Sequence, residues 1–191
     1  MARVIVLRAG YARPLGDGRL QANGTITLIQ GKHDVMVDTG LPGDRQALID
    51  LLKAEGLTPT DVDVVVCTHG HSDHVGNNNL FPDALFVVCH DVSRGDLYTP
   101  HDFATPYEID DEVRVVATPG HTSHDVSVIV QTASGVVVVA GDLFENEDDQ
   151  LRDDRWLAAS EDPSTQRRTR ASILAIADFV VPGHGRMFRS R

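Results

Sequence analysis

The chain has 191 residues, 41% hydrophobic and 24% charged, the proportions of one globular domain with a substantial core. Its formal net charge is −11, with the acidic excess confined to residues 1–150 and a net basic stretch over 151–191. Sequence-blind binding of nucleic acid by the body of the molecule is therefore disfavoured, while the C-terminal segment keeps the means to meet an anion. No apolar run approaches the ~18–20 residues of a membrane span, and the N-terminus lacks the features of a signal peptide.

In chain order, Met1–Arg8 reads as a first strand. Thr25–Gln30 and Val35–Asp38 are two short β-rich runs around the turn signal Gly31-Lys32. A helix is expected over Arg45–Glu55, with Asp44 as N-cap, Ala47, Leu48, Leu51 and Leu52 on one face and Gly56 closing it. Val62–Thr68, Ala84–Cys89, Val113–Ala117, Val126–Val130, Val136–Ala140 and Phe179–Val181 follow as Val-rich runs of strand length. Their weak alternation suits strands covered on both faces. Asp162-Pro163 opens a second long helix that ends near Ala177. The whole reads as a layered α/β protein, residues 1–191 forming one domain. Cys67 and Cys89, the only cysteines, lie inside strand-like runs and give no disulfide framework; a cytoplasmic protein is expected, or a nuclear one in a eukaryote.

One stretch departs from this pattern. Phe144–Ser160 holds Glu145, Glu147, Asp148, Asp149, Asp153 and Asp154 and reads as a solvated surface loop. The sharper alternative is a flap anchored by Trp156. Arg167, Arg168 and Arg170 read as a solvated helix face.

The chemistry concentrates in Thr68-His69-Gly70-His71-Ser72-Asp73-His74, where three histidines and a carboxylate fall within six residues. Histidine with carboxylate is a ligand set for zinc and related first-row metals. Such density cannot be absorbed by a core, because unpaired polar groups there cost too much. Three further ligand-type residues each follow a Val-rich strand beside a glycine: His121 after Val113–Ala117, Asp142 after Val136–Ala140 and His184 after Phe179–Val181. Open sheets place their chemistry at the carboxyl ends of strands.

His69-x-His71-x-Asp73-His74 with His121, Asp142 and His184, preceded by Val37-Asp38-Thr39-Gly40, resembles the metallo-β-lactamase superfamily from about Thr25 to Phe188. The resemblance implies a four-layer αβ/βα sandwich in a single domain. It also implies two zinc ions per chain, with iron or manganese as substitutes. By this resemblance His69, His71 and His121 hold one metal, Asp73, His74 and His184 the other, and Asp142 bridges them. A bridging hydroxide is then the expected nucleophile, and Asp73 and Asp142 are the carboxylates closest to catalysis. Less universal segments, among them Gly70–Asn77, Ala140–Glu145 and Ser160–Pro163, resemble an animal branch of the superfamily described as an endoribonuclease of histone pre-mRNA 3′ ends, which implies an RNA substrate and a homodimer.

Among the remaining polar residues, Asp38 is a candidate acceptor for a ligand histidine. His124 and His90 are candidates for substrate contact, although a loop hydrogen bond is the plainer role for His124. An RNA substrate would need contacts from Arg152, Arg155, Arg167, Arg168, Arg170, Arg186, Arg189 and Arg191, and scattering of these over several faces would weaken that reading. The alternatives are a glyoxalase-II-like hydrolase of a small thioester, ester or lactone and, in another class, a non-catalytic metal-binding scaffold. The intact seven-residue set counts against the scaffold.

Overall fold

The computed structural model describes residues 1–150, 152 and 154–190. Asp153 and Arg191, assigned above to the acidic run and the basic set, lie outside the described residues. In chain order the elements are β1 (Arg3–Arg8), β2 (Tyr11–Pro14), β3 (Leu20–Asn23), β4 (Ile26–Gln30), β5 (Val35–Val37), α1 (Arg45–Ala54), β6 (Val64–Cys67), α2 (Ser72–Val75), β7 (Leu85–Val88), β8 (Asp91–Arg94), β9 (Leu97–Tyr98) and β10 (Tyr107–Glu108). They continue as β11 (Val113–Ala117), β12 (Val126–Thr132), β13 (Gly135–Gly141), α3 (Asp154–Ala159), α4 (Pro163–Ile176), β14 (Phe179–Pro182) and β15 (Phe188–Arg189).

Two mixed sheets face one another, in the orders β1-β4-β5-β6-β7-β8-β9 and β10-β11-β12-β13-β14-β15. Between them lies a Val-rich core that includes Val37, Val66, Val87, Val115, Val128 and Val139. Leu48 and Leu52 of α1 cover the outer face of the first sheet, packing with Leu28, Met36 and Val65. Ile173 of α4 and the following Ala177 cover the second, with Val138, Ala140 and Val180. This is the four-layer αβ/βα arrangement. It explains the unalternating strands, because β6 is buried along its whole length with a core on each side. Strands β5, β6 and β7 pair in parallel, as do β13 and β14, so their carboxyl ends emerge at one end of the sandwich.

Several expectations need correction. Asp44 ends a 3-10 turn and gives α1 no side-chain cap. Its carboxylate is drawn instead to Arg8, Asn23 and the Leu41 N–H. The segment after Phe144 is not a solvated loop: it folds into a 3-10 turn over Glu147–Gln150 and then α3. Phe144, Glu145, Asn146, Asp149 and Trp156 are buried. Arg170 is the reason, and it is no part of a solvated face. Its guanidinium bonds the Asp149 carboxylate and the carbonyls of Leu143 and Asp149 and stacks over Phe144 and Trp156. Burying Asp149 is tolerable because that partner comes with it.

The β2–β3 hairpin carries no strong signal. Its strands have four residues each, Pro14 ends one, and Gly16 and Gly18 turn the connection at positive φ.

Candidate metal centre

All seven residues singled out in the sequence meet at the carboxyl ends of the strands. His69 and His71 leave β6, and α2 carries Asp73 and His74 on the next turn of chain. His121 follows β11, Asp142 follows β13 and His184 follows β14. His69 Nε2 and His121 Nε2 lie 2.9 and 3.2 Å from His71 Nδ1 and 3.6 and 3.4 Å from Asp142 Oδ2. On the other side, His74 Nε2 lies 3.3 Å from Asp142 Oδ1 and 3.8 Å from Asp73 Oδ2. His184 Nε2 lies 3.1 Å from Asp142 Oδ2 and 3.9 Å from Asp73 Oδ2. Asp142 faces both groups.

These separations fit metal ions. Two ligand atoms bound to one tetrahedral zinc at about 2.0–2.2 Å stand roughly 3.3–3.6 Å apart, and the separations here, from 2.9 to 3.9 Å, bracket that spacing. Buried polar atoms also point inward without hydrogen-bond partners, namely Asp73 Oδ2, His74 Nε2 and Asp142 Oδ1. Orphans of this kind are rare unless an ion or water serves them. Burial keeps His69 well below and His121 below the ordinary histidine range, despite the pull of Asp142, so both present neutral imidazoles, the form that binds metal. At His74 and His184 burial works in the same direction but is outweighed by Asp142, with Asp38 adding to the effect at His74. Their values rise to about 10 and about 9, marking places where negative charge awaits a cation. Burial raises Asp142 too, yet His74, His69 and His184 hold it well below the carboxylate range.

A second layer fixes the candidate ligands. Asp38, at φ 60° in the left-handed region, accepts from His74 Nδ1 at 2.8 Å and from the Thr68 N–H at 2.8 Å. The Thr68 hydroxyl donates to Asp38 Oδ2 at 2.9 Å and lies 3.1 Å from His69 Nδ1, so one carboxylate orients two histidines. His184 Nδ1 donates to the Asn23 carbonyl at 3.2 Å. Gln166, fully buried on α4, donates to the Asp142 carbonyl at 3.0 Å. The His121 loop is tied down by N–H groups of Glu161 and Asp162 on the carbonyls of His121 and Gly120. Gly183 sits so close that a Cβ there would run into the Asp142 carboxylate.

Sequence reasoning missed Gln166, Asn23, Thr68 as a connector and Glu145, whose ligand atoms cluster with Asp142 and His184 within 4.8 Å. Only Glu145 left a signal, its place three residues after Asp142, and the surrounding acidic run hid it. His90 and His124 stand apart, their rings 5.1 Å from each other. His90 stacks on Phe103 and lines a separate cleft with His101, while His124 bonds Ser123. No hydrogen bond among the described residues joins either to the seven.

Beside His184 opens a cleft of about 480 Å³, lined by Arg13 of β2, Arg155 of α3 and Arg186, with Asn146, Glu147 and Asp148.

Comparison with known proteins agrees with this arrangement. The sequence profile described as the metallo-beta-lactamase superfamily matches residues 20–184. The chain is 49% identical over 191 residues to metallo-beta-lactamase domain-containing protein 1 of Xenopus laevis, covering 97% of this chain and 81% of the relative. It is 42% identical to the human protein of that name, with 97% and 81% covered. A solved metallo-beta-lactamase-type structure from Thermotoga maritima superposes with a TM-score of 0.73 at 18% identity, covering 98% of this chain and 99% of that one. An N-acyl homoserine lactone hydrolase with its product at the catalytic metal center superposes with a TM-score of 0.70, also at 18% identity, over 96% and 92%.

Proposed function

The chain belongs to the metallo-β-lactamase superfamily and is a metallo-hydrolase, and from that premise we propose that it works with two divalent ions, zinc first among the candidates. His69, His71 and His121 hold one, Asp73, His74 and His184 the other, and Asp142 is shared. The observation carrying this reading is the position of Asp142, whose two oxygens face imidazoles of both groups at 3.1–3.6 Å. When bound, such ions bring the pKa of a water toward about 7 and polarise the electrophilic oxygen of the substrate. The chain's own part is orientation. Asp38 fixes the tautomers of His74 and, through Thr68, His69, while Gln166 and Asn23 hold Asp142 and His184 in register.

For the substrate we propose an anion, with an RNA phosphodiester as the first reading, in line with the animal branch that the sequence resembles. The expected basic set does not act as one surface. Arg170 is buried, Arg168 bonds Thr165 on its own helix, and Arg189 pairs with the start of β14, away from the site. What supports an anion is the trio Arg13, Arg155 and Arg186, which line the cleft beside His184 and make no ion pair among the described residues. The size of that cleft favours a second reading. About 480 Å³ is the volume of a small-ligand pocket, so a carboxylate-bearing thioester, ester or lactone also suits it. Parallel turnover of RNA, S-lactoylglutathione, a lactone and a cephalosporin by metal-analysed protein tests both. Turnover of RNA alone selects the first reading, turnover of a small ester alone the second, and failure of all four by protein carrying two ions overturns both.

A further inference from the structure

Glu145 has no place in the ligand set derived above. It sits on the chain that turns back beneath His184, and its backbone is pinned from both sides. Its carbonyl accepts the His184 N–H at 2.8 Å, and its N–H donates to Asp149 Oδ2 at 2.7 Å. The side chain is thereby held inward, 6% exposed. Its Oε1 is buried without a hydrogen-bond partner, and it makes no ion pair among the described residues. A carboxylate oxygen, His184 and Asp142 place their ligand atoms within 4.8 Å of one another. Surface acids are common and need no explanation. A buried, unpartnered carboxylate aimed at a histidine and a second carboxylate does need one, because isolated charge in a low-dielectric interior is expensive.

We propose that Glu145 is a further ligand of the second metal position. This rests on the two-ion reading above and deepens it. The two positions then differ in kind. The first is surrounded by three imidazoles and one oxygen of Asp142. The second would draw on Asp73, His74 and His184, and, through the group that His184 forms with Asp142 and Glu145, on two further carboxylates. Imidazole suits zinc, whereas carboxylate oxygen suits harder ions such as Mn²⁺. The second position should therefore discriminate against Mn²⁺ less strongly than the first, with zinc still the tighter-binding ion at both.

The test is metal binding by the stripped full chain, read by calorimetry, elemental analysis and the electron paramagnetic resonance of bound Mn²⁺. Circular dichroism confirms the fold of each variant. Wild type is expected to take two equivalents of Zn²⁺. Glu145→Gln and Glu145→Ala should keep one tight equivalent, weaken the second by more than the roughly 10–100-fold that loss of an outer-shell partner costs and lose most of the bound Mn²⁺ signal. Two equivalents in Glu145→Gln with wild-type affinities and an unchanged Mn²⁺ signal would overturn the assignment while leaving the two-ion reading intact. Fewer than two equivalents in wild type would remove the two-ion reading itself. If neither variant folds, a Mn²⁺-loaded wild-type crystal decides, because no Glu145 oxygen within bonding distance of an ion refutes the proposal and a direct Mn–O contact supports it.

Discussion

The first sheet supplies His69, His71, Asp73 and His74 from a single turn of chain, whereas the second supplies His121, Asp142 and His184 from three separate strand ends. The bracing differs in the same way. The compact cluster is held by a near neighbour in its own sheet, Asp38, at the end of β5 beside β6. The dispersed trio depends on distant groups: Gln166 from α4 for Asp142, the Ser160–Asp162 turn for His121, and Asn23 from the opposite half for His184. A ligand cluster written locally can be oriented locally, but one assembled across strands is only as accurate as the packing behind it.

The strongest way to break this comparison is to remove the group common to both halves. Asp142→Ala should abolish hydrolysis, by more than the roughly 10–100-fold that outer-shell substitutions cost, and lower metal content at both positions. His121→Ala should deplete the first position only. Elemental analysis with turnover checks both, and wild-type activity in either variant refutes the ligand assignment.

Next in size is Arg170→Ala. It strips Asp149 of its buried partner and should cost about 3–5 kcal/mol in denaturant unfolding. The double replacement Arg170→Met with Asp149→Asn removes both charges together and should recover part of that loss. A single-variant loss under about 1 kcal/mol would show that α4 braces the dispersed trio less than its contacts suggest.

Asp38→Asn follows. It leaves His74 Nδ1 and the Thr68 hydroxyl without their ionised acceptor, and metal affinity should fall roughly 10–100-fold with little change in fold. An unchanged affinity would mean that the compact cluster needs no brace.

The smallest effect concerns Asp44, which links Arg8 and Asn23 to the loop before α1. Burial raises its pKa, but the hydrogen bonds from Arg8 and Asn23 outweigh this and hold the carboxyl below its ordinary value. A folded-state value below the unfolded one gives stability that is fully present above about pH 4 and lost as pH falls through the folded value. Wild type should exceed Asp44→Asn by no more than about 1 kcal/mol at neutral pH, and thermal melts should bring the two together below pH 4. A gap that stays constant down to pH 2 would contradict the assigned role.

Much of this architecture is legible in the chain itself. The Val-rich strands announce burial on both faces, and the His69–His74 cluster is readable because all its members lie within one turn. His121, Asp142 and His184 become readable only once each is seen to follow a strand. What could not be read depends on partners far away in sequence. Glu145 and Asp149 look like solvated acids until His184 and Arg170 are placed beside them, and Gln166 is an ordinary helix residue until Gly120 and Asp142 pack against α4. Asp44 satisfies every local rule for an N-cap, yet Arg8 and Asn23 compete for its oxygens and win because a guanidinium is the stronger donor.

Because the seven side chains come from both sheets, ions shared among them would act as a reversible cross-link. Joining His74 to His184, or His69 to His121, closes long loops of chain and withdraws that freedom from the unfolded ensemble. The backbone bonds bridging the halves at this end, from Thr25 to Gly183 and from Val126 to Thr68, lie under that clasp. Chelation should leave the strands paired while these two amides exchange with solvent sooner than those at the opposite end of the sandwich, so the centre that performs the chemistry would also set how long the two halves stay closed.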